Sequence, residues 1–375
     1  MEKWRNVLSN WRWLFIAMKI PHSKPWITKE DEHLLLEVVR SGWLADGKQP
    51  DLLRKKLLQF LDLGGDAVIT SSGSSSLFIA LKALKLQPQS KIAIPTYSCR
   101  ALLDAVLLAN HIPVFVDVNR DFNMRSESLK EIAETTGKVD AIIAVNTHGK
   151  LCELEALKKY SLHIIEDCCH SIGTRSKQSV IPDAKVFSFY ATKVITGGQG
   201  GAIWSKDPQI TEFAHTYLEK EILPRNYTEG FNLRISDLHA AIANNQLDRI
   251  DEVFIMRSNL AKRYFSALPE KLKNFNHQYD PNRLYYRFVI QFQKESDRNL
   301  AFDYFIENNI TVSKLYQKEE LLHNCYHSKD SHISTAESLV KTSLSIPLYP
   351  SLDRMEEEKI ISLLKNLNYD ASKHK

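Results

Sequence analysis

The 375-residue chain has only five cysteines, and its net charge is only +4. It has no apolar run that approaches the roughly 20 residues of a membrane-spanning helix. The cysteines form no CxxC pair and no zinc-type spacing with histidine, which argues against a structural zinc site and favours free thiols in a reducing compartment. No Lys/Arg block is present, so the charge does not predict nucleic-acid binding. We therefore expect a cytoplasmic globular protein with no metal site and no nucleic-acid partner.

The first 24 residues differ from the rest because they combine tryptophan with basic residues, namely Trp4, Arg5, Trp11, Arg12, Trp13 and Lys19. The apolar run among them is short and lacks a small-residue cleavage site, which argues against a signal peptide. Two interpretations stay open: a basic aromatic helix lying on a membrane surface, or an arm packed on its own protein or on a partner subunit. We favour the second and treat residues 1–24 as an N-terminal arm.

Residues 25–250 alternate between short apolar runs typical of strands and longer helix-like segments. The predicted strands are Lys91–Ile94, Val114–Val118, Ala141–Val145, His163–Ile165, Val186–Phe189 and Ala202–Trp204, and the predicted helices include Ser76–Leu84 and Arg100–Leu108. An earlier helix is predicted to open with a capping box at Thr28 and Asp31. The alternation predicts a large α/β domain with a mostly parallel sheet sandwiched by helices. Functional groups in such sheets lie at the carboxyl ends of the strands.

The pattern changes near residue 250, and a smaller C-terminal α+β domain is predicted over residues 251–370. Its predicted elements are the helices Leu247–Lys262, Asn299–Asn308 and Met355–Leu367 and the strands Tyr285–Phe292 and Ile310–Leu315. The chain is therefore expected to consist of an arm, a large domain and a small domain.

A run of hydroxyl side chains around one glycine, from Thr70 to Ser76, directly precedes a predicted apolar helix. Backbone N–H groups at a helix N-terminus, the helix dipole and the hydroxyls together favour a bound phosphate. Serine-rich segments also form ordinary helix caps and flexible loops. Phosphate binding at Gly73, Ser74 and Ser75 and purely structural capping are therefore both open at this point.

Asp167 and His170 directly follow a predicted apolar strand. A carboxylate at the end of such a strand is partly buried and must be paired. A protonated pyridine nitrogen is one suitable partner, and a salt bridge or a helix cap is the alternative. His170 is either a hydrogen-bonded structural histidine or a contact of a cofactor ring or its 3-oxygen.

Lys193 lies between the predicted strand that contains Ser188 and the glycine-rich segment Thr196–Gly201. Four glycines this dense allow positive φ angles and close backbone approach. Most lysines are solvated surface residues, but this position favours a functional amine. An amine that forms a Schiff base and a carboxylate that keeps a pyridine nitrogen protonated are what pyridoxal phosphate chemistry requires, and Lys193 and Asp167 provide them. Ser188 is a further candidate for the phosphate.

The order of these segments resembles the sugar aminotransferase family named after its DegT, DnrJ and StrS members, which has the type I pyridoxal phosphate fold. The resemblance runs from about Pro25 to Leu367. The segments that carry it are SGWL at 41–44, SGS at 72–74, PVFVDV at 113–118, IED at 165–167, FSFYATK at 187–193, GFNLRISDLHAA at 230–241 and IPLYP at 346–350. Each segment alone is weak, but their order and spacing together are specific.

The resemblance implies a role for each candidate residue. Lys193 would attach pyridoxal 5'-phosphate (PLP) covalently, Asp167 would pair with the pyridine nitrogen, and His170 would lie near the ring. The residues implied at the phosphate are Gly73, Ser74, Ser75 and Ser188.

Asn232 falls where relatives reach into the phosphate site of the neighbouring subunit, and Arg234 lies on the same loop. The resemblance therefore implies a homodimer with active sites at the subunit interface. The other implied partners are small-molecule substrates, an amino donor and a keto-sugar.

The chain departs from the common pattern at the residue that stacks on the cofactor ring. In the segment Pro95–Cys99, counting back from Pro113 puts Cys99 where relatives often carry an aromatic residue. A thiol lacks aromatic stacking worth about 1 kcal/mol, and Tyr97 replaces it only if the loop is shifted. The substrate side also departs from the pattern, where the residues expected to contact substrate are Tyr190, Arg234, Tyr316 and His323.

The resemblance implies a PLP-dependent transaminase that moves an amino group from an amino acid, L-glutamate by analogy, to a nucleotide-linked keto-sugar in polysaccharide or aminosugar biosynthesis. A dehydratase of the same family is disfavoured because such relatives carry histidine in place of Lys193. Two alternatives stay open: an aminotransferase for a cyclitol-type ketone, and a non-catalytic PLP-binding regulatory or scaffold protein. The retained Lys193, Asp167 and Ser188 argue against the non-catalytic alternative.

Overall fold

A seven-stranded sheet lies at the centre of the larger part of the molecule. The computed structural model describes residues 19–175, 178–219, 231–276, 278–328 and 333–367. The strands are β1 Asp66–Thr70, β2 Lys91–Pro95, β3 Ile112–Val116, β4 Ala141–Val145, β5 His163–Asp167, β6 Ala184–Ser188 and β7 Gly201–Ser205. Their spatial order is β1-β7-β6-β5-β4-β2-β3. Strand β7 runs antiparallel to both neighbours and the other pairings are parallel, which confirms the mostly parallel sheet.

Helices cover both faces of this sheet. They are α1 Lys29–Ser41, α2 Gln49–Leu61, α3 Gly73–Ala83, α4 Ala101–Leu108, α5 Ser126–Thr136, α6 Leu154–Leu157, α7 Pro208–Leu218 and α8 Asp237–Asp248. Every residue of β4 and β7 is buried. Successive residues of β4 belong to two different clusters of buried side chains, one on each face. The strands are therefore apolar on both sides, because helices exclude water from both.

A second, two-stranded sheet lies in the C-terminal part. The elements there are α9 Ile250–Ala267, α10 Glu270–Lys273, β8 Phe288–Gln291, α11 Glu295–Glu307, α12 Leu322–Cys325, α13 Ser334–Thr342, β9 Ser343–Ile346 and α14 Arg354–Lys365. Strands β8 and β9 pair antiparallel, and a separate apolar cluster surrounds them. Helix α9 contributes to this cluster and also to the core of the larger part. The division of the chain at residues 250 and 251 stays a prediction.

The predicted helix Leu247–Lys262 is wrong at its start, because two helices meet there. Helices α8 and α9 are separated at Arg249, which has φ −101° and ψ 13°. The Arg249 guanidinium pairs with the buried Asp31 carboxylate at 2.9 Å and lies over the Trp26 ring at 4.8 Å. Asp31 also forms the expected capping box with Thr28. The break between α8 and α9 thus coincides with a contact between residues more than 200 positions apart in sequence. The apolar periodicity of the sequence continues through the break and does not mark it.

The predicted strand Ile310–Leu315 is also wrong as a continuous strand. This segment makes only isolated bridges, from Ile310 to Ile20 and from Ser313 to Ser345. The chain turns at Leu315, which has φ 69°, and the Leu315 amide donates to Ser313 Oγ at 3.0 Å. The Ser313 hydroxyl therefore accepts a hydrogen bond from a backbone amide that would otherwise pair with a neighbouring strand.

The described end of the N-terminal arm packs on its own chain. Ile20 is buried, its amide donates to the Asn309 carbonyl, and its carbonyl accepts from the Thr311 amide, both at 2.9 Å. The three tryptophans of the arm lie outside the described residues, so both interpretations of that segment stay predictions. Among the described helices, none combines the length and apolar character needed to cross a membrane.

Asp117, directly after β3, joins the two parts of the molecule by capping α13. Its carboxylate is 2% exposed and accepts hydrogen bonds at 2.9 Å from the amides of Thr335 and Ala336. We expect Asp117→Ala to lower the free energy of unfolding by about 2–4 kcal/mol, because two amides at the helix start lose their acceptor. Urea titration followed by circular dichroism measures this. Asp117→Asn, which keeps one acceptor oxygen, should lose about half as much, and a wild-type midpoint for Asp117→Ala would contradict the capping role.

Candidate active site

Three elements bring the predicted site residues to one edge of the sheet. Strand β5 ends at Asp167 and its parallel neighbour β6 ends at Ser188, with Lys193 in the turn that follows. Helix α3 begins at Gly73 beside them. A Cβ added at Gly73 would lie 2.8 Å from Ser188 Cβ and 3.3 Å from Cys169 Sγ. The close approach of the α3 start to β6 therefore depends on glycine at this position.

The adjacent carboxylates Glu166 and Asp167 have different surroundings because side chains alternate along a strand. Glu166 is 1% exposed and pairs with Lys185. Asp167 is also buried, and its Oδ1 accepts the Cys169 amide at 2.9 Å. Burial raises the pKa of Asp167, although Cys169 and the nearby Lys193 oppose this shift. A buried carboxyl group with a raised pKa is suited to a cationic N–H partner, which would stabilise its charged form.

Asp167, Lys193, Cys99, Cys169 and Tyr286 interact with one another at this edge of the sheet, and we call the space between them the cleft. Lys193 Nζ lies 5.1 Å from the centre of the Tyr286 ring. Burial alone would lower the pKa of this amine. Tyr286, Cys169, Cys99 and Asp167 nevertheless hold the pKa of Lys193 above its ordinary value. The amine is therefore a cation, and it must lose a proton before it can act as a nucleophile.

The turn after Lys193 requires its glycines. Gly198 and Gly200 have φ angles of 80° and 134°, in the region that favours glycine. A Cβ at Gly197 would lie 2.5 Å from the His239 carbonyl oxygen. The glycine-rich segment thus fixes the path of the backbone that carries the lysine.

The start of α3 combines a helix cap with free amides. Ser72 Oγ accepts the Ser75 amide at 3.1 Å, and Ser75 Oγ accepts the Ser72 amide at 3.0 Å, so the Ser75 hydroxyl is used in a capping box. The amides of Gly73 and Ser74 are the first two of the helix and have no intrahelical acceptor. With the Ser188 hydroxyl nearby, they form an anion cradle. The phosphate roles of these four predicted residues stay predictions.

His170 is held in a stack of rings. Its ring lies 4.2 Å from that of Tyr286 at an interplanar angle of 13°, and 6.1 Å from that of His148 at 8°. Burial, and then Lys193, lower the pKa of His170 well below its ordinary value, so the ring is neutral. Among the described residues, nothing hydrogen-bonds to its Nδ1. His170 can therefore offer one ring nitrogen to a ligand.

Cys99, rather than Tyr97, has accessible surface in the cleft. Although the residue has exposed surface, its thiol is shielded from bulk water by the surrounding protein, and this desolvation, followed by Asp167, raises the pKa of Cys99. Tyr97 is 1% exposed and its ring packs edge-on against Tyr316, with centres 4.9 Å apart. This placement favours Cys99 at the ring-facing position, and Tyr97 belongs to the wall behind it.

The predicted residues Tyr190, Asn232 and Arg234 lie toward the surface of the subunit. Tyr190 and Asn232 are exposed, and Asn232 Oδ1 accepts the Arg234 amide at 3.4 Å. The Ser71 amide donates to the Leu233 carbonyl at 2.6 Å, which anchors this loop beside the start of α3. Their predicted roles in substrate binding and across a subunit interface stay predictions.

Tyr316 and His323 lie in the wall on the β2 side. His323 is 4% exposed and its Nδ1 lies 2.6 Å from Thr96 Oγ1. The Leu322 amide donates to the Thr96 carbonyl at 3.0 Å, so α12 docks on the end of β2. His323 thus has a structural contact, and the substrate roles of both residues stay predictions.

Three residues of the cleft escaped the sequence analysis: His148, Tyr286 and Arg287. The last two lie in the predicted strand Tyr285–Phe292 and have no predicted chemical role. Arg287 does carry a signal, since it is the one basic residue within the apolar run at 284–290. No comparable signal marks His148, because the packing of distant segments brings its ring to the site.

Sequence comparison places the chain among known proteins. Residues 25–365 match the sequence model of the DegT/DnrJ/EryC1/StrS aminotransferase family. The chain is 25% identical over 385 residues to the spore coat polysaccharide biosynthesis protein SpsC of Bacillus subtilis (strain 168), an alignment that covers 93% of this chain and 97% of SpsC. The family model covers almost all of the region from about Pro25 to Leu367 that carries the resemblance.

Solved structures show the same architecture. PseC of Helicobacter pylori, an aminotransferase involved in the biosynthesis of pseudoaminic acid, superimposes with a TM-score of 0.82 at 22% identity, over 94% of this chain and 100% of PseC. The PLP-form of Spr1654 from Streptococcus pneumoniae gives a TM-score of 0.81 at 22% identity, over 93% of this chain and 98% of that protein. At these identities the likeness shows the fold, and it confirms the predicted one.

Proposed function

The chain belongs to the DegT/DnrJ/EryC1/StrS aminotransferase family, and on this premise we propose that it transfers an amino group from L-glutamate to a nucleotide-linked keto-sugar in polysaccharide or aminosugar biosynthesis. Family membership confirms the predicted transaminase class and its PLP dependence. The observation that carries the finer proposal is the convergence of Lys193, Asp167 and the start of α3 on one edge of the sheet.

The residues at this edge fit PLP. The amides of Gly73 and Ser74 and the dipole of α3 suit a phosphate. The buried Asp167 carboxyl suits a protonated ring nitrogen. The Lys193 amine suits a carbonyl carbon, and Nδ1 of His170, which has no hydrogen-bond partner among the described residues, suits a ring substituent. Each polar part of the cofactor thus has a complementary group.

When bound, the cofactor supplies a carbonyl carbon that takes up an amino group and a ring that withdraws electrons. Lys193 would hold the cofactor covalently through its amine, and the donor amine would free Lys193 for proton transfer. The freed Lys193 amine then removes the proton from the donor α-carbon and later returns a proton to the acceptor carbon. Asp167 keeps the ring nitrogen protonated throughout. The stacked, neutral His170 holds the ring in place without adding charge.

A sugar acceptor is supported by the relatives. SpsC is named for spore coat polysaccharide biosynthesis and PseC for pseudoaminic acid biosynthesis. Lys193 supports transamination over dehydration, because the amine is required for the proton transfer. All five cysteines are free, which fits the cytoplasm as the proposed location.

We also propose a homodimer with active sites at the subunit interface. Apolar side chains are exposed along α1 and the turn after it, namely Leu36, Val39, Trp43 and Leu44. A patch of this kind on one face is typical of a protein contact surface. The exposed Asn232 and the half-buried Arg234 lie on a loop anchored beside the cofactor cradle, where a second subunit could use them.

The function is tested by the absorption spectrum of the PLP-loaded protein before and after L-glutamate is added. We expect a visible band that falls while a near-ultraviolet band rises, and the return of the visible band when a nucleotide-linked keto-sugar follows. A visible band that does not respond to glutamate would contradict the donor. Recovery by cyclitol ketones but by no keto-sugar would contradict the acceptor.

A further inference from the structure

Arg287 is a cation in the cleft that no carboxylate of the described residues neutralises. It lies directly before β8, and its guanidinium carbon is 5.0 Å from the centre of the Tyr286 ring. Lys193 Nζ is 5.1 Å from the centre of the same ring. Over the described ranges of the chain, no aspartate or glutamate forms an ion pair with Arg287. A half-buried guanidinium without a counter-ion is costly unless an anion joins it.

His22 orients this guanidinium without cancelling its charge. Arg287 Nη1 lies 3.0 Å from His22 Nδ1, and His22 Nε2 lies 2.9 Å from Ser345 Oγ. Burial, and then Arg287, lower the pKa of His22 to about 3, so the ring is neutral and accepts a hydrogen bond from the arginine. Because Nδ1 accepts, the single N–H proton of the neutral ring is assigned to Nε2, which donates to Ser345 Oγ. Arg287 is therefore fixed in direction and keeps its full charge.

Two buried groups on which the charge of Arg287 acts also lack hydrogen-bond partners among the described residues. Tyr97 and His148 are 1% and 3% exposed. The Tyr97 hydroxyl and both ring nitrogens of His148 have no hydrogen-bond partner among the described residues. Burial, and then the charge of Arg287, lower the pKa of His148 well below its ordinary value, so this ring is neutral and one of its two nitrogens can donate a hydrogen bond. Buried polar atoms are normally satisfied, and such a group points to a missing ligand.

The backbone at His148 is held in an uncommon conformation that aims the ring. Its φ is 54° and its ψ is 22°, in the left-handed region. Arg283 donates to the His148 carbonyl from two nitrogens, at 2.9 and 3.3 Å. Strained residues persist where the surroundings hold them, often at binding sites. The unpartnered ring is therefore a positioned group.

From this geometry we propose that Arg287, with Tyr97 and His148, binds a carboxylate of the amino-acid donor. The inference rests on the proposed function and names the part of the cleft that selects the donor. Arg287 has only N–H donors, and the Tyr97 hydroxyl and one ring nitrogen of the neutral His148 can each donate one more hydrogen bond. A guanidinium matches a carboxylate through two parallel bonds. A neutral sugar hydroxyl would leave the charge of Arg287 unmet.

The position of Arg287 fits a donor rather than an acceptor. The amine of a donor must reach the place of the Lys193 amine, and the carboxylates of an amino acid lie within a few bonds of that amine. Lys193 and Arg287 lie at similar distances from one ring, so a dicarboxylic amino acid can reach both. The anion cradle at α3 belongs to a different set of residues, Gly73, Ser74 and Ser188.

The test compares the PLP-loaded wild type with Arg287→Gln and Arg287→Lys in the first half-reaction. We expect Arg287→Gln to raise the L-glutamate concentration for half-saturation roughly 10- to 100-fold, with a smaller change in the limiting rate. Arg287→Lys keeps the positive charge but cannot form two parallel hydrogen bonds to a carboxylate. Its half-saturating L-glutamate concentration should therefore lie between those of the wild type and Arg287→Gln. The rate with n-propylamine, which has no carboxylate, should be unchanged in both variants. Arg175→Gln, at an exposed ion pair with Asp251, is the matched control.

Binding of glutarate, which has two carboxylates and no amine, separates this inference from the proposed function. Calorimetry should detect glutarate binding to the wild type. The affinity for glutarate should be at least roughly 10-fold lower in Arg287→Gln, both with and without PLP. If the wild type does not react with glutamate but loses glutarate binding on substitution, the donor proposal fails and the carboxylate site stands. Unchanged glutamate and glutarate affinities in Arg287→Gln would overturn the site. Equal losses with n-propylamine would overturn it too, because a general structural defect would then explain them.

Discussion

Replacing Lys193 by alanine is expected to lower the rate of transamination by at least roughly 10³-fold, because both covalent attachment and proton transfer depend on its amine. The amine lies in the cleft beside Asp167 and over the Tyr286 ring. Lys193 also acts electrostatically on Asp167, which places the amine near the carboxyl group. Stopped-flow absorbance with L-glutamate measures the loss.

Two controls make this result specific. Lys206→Ala removes an exposed lysine on the far side of β7 and should leave the rate unchanged. Lys193→Arg keeps a positive charge but offers no amine that can lose its proton, and should be as inactive as Lys193→Ala. The cofactor should still bind through the cradle at α3, although without the visible band of the attached form. Turnover near the wild-type rate in Lys193→Ala would overturn the mechanism.

Asp167→Ala is expected to lower the rate by about 10²- to 10⁴-fold, because removing one partner of a buried charged pair costs roughly 3–5 kcal/mol. The carboxyl group is 4% exposed at the end of β5. Burial raises the pKa of Asp167 in the protein alone, so a bound pyridinium must lower that pKa again. PLP affinity, measured by the protein's fluorescence, should fall along with the rate.

Asp167→Asn separates charge from shape. The amide occupies the same volume but cannot keep a ring nitrogen protonated, so the rate should fall almost as far as in the alanine variant. Glu166→Gln, one residue earlier, alters the pair with Lys185 and should change stability more than the rate. An Asp167→Asn variant with wild-type turnover would show that the ring nitrogen works without a charged partner.

Local sequence patterns determined much of the fold and the core of the site. Strand β4 has the predicted bounds, and the capping box at Thr28 and Asp31 is present. The carboxylate at the end of one apolar strand and the lysine just past the next lie together, because parallel strands end at the same edge of a sheet. These features depend on residues close in sequence, which is why a pattern can show them.

Contacts between distant segments decided the rest. Helices α8 and α9 are separated where Arg249 reaches Asp31, and the segment at 310–315 turns away at Leu315. Neither feature leaves a local signal in the sequence. The apolar periodicity continues through the break at Arg249, and the segment at 310–315 consists largely of residues that favour strands. Tertiary packing overrode propensity in both places.

The sequence by itself determined that this protein is an α/β aminotransferase with an amine and a buried carboxyl group at one strand edge, because those groups are set by short motifs. Only the tertiary structure decided that Arg287, His22, Tyr97 and His148 meet beside them. His22 and Arg287 are 265 residues apart, and Ser345 lies 323 residues from His22. No periodic pattern in the sequence predicts that these residues lie together. Their proximity depends on how the two-stranded sheet and the N-terminal arm pack against the seven-stranded sheet.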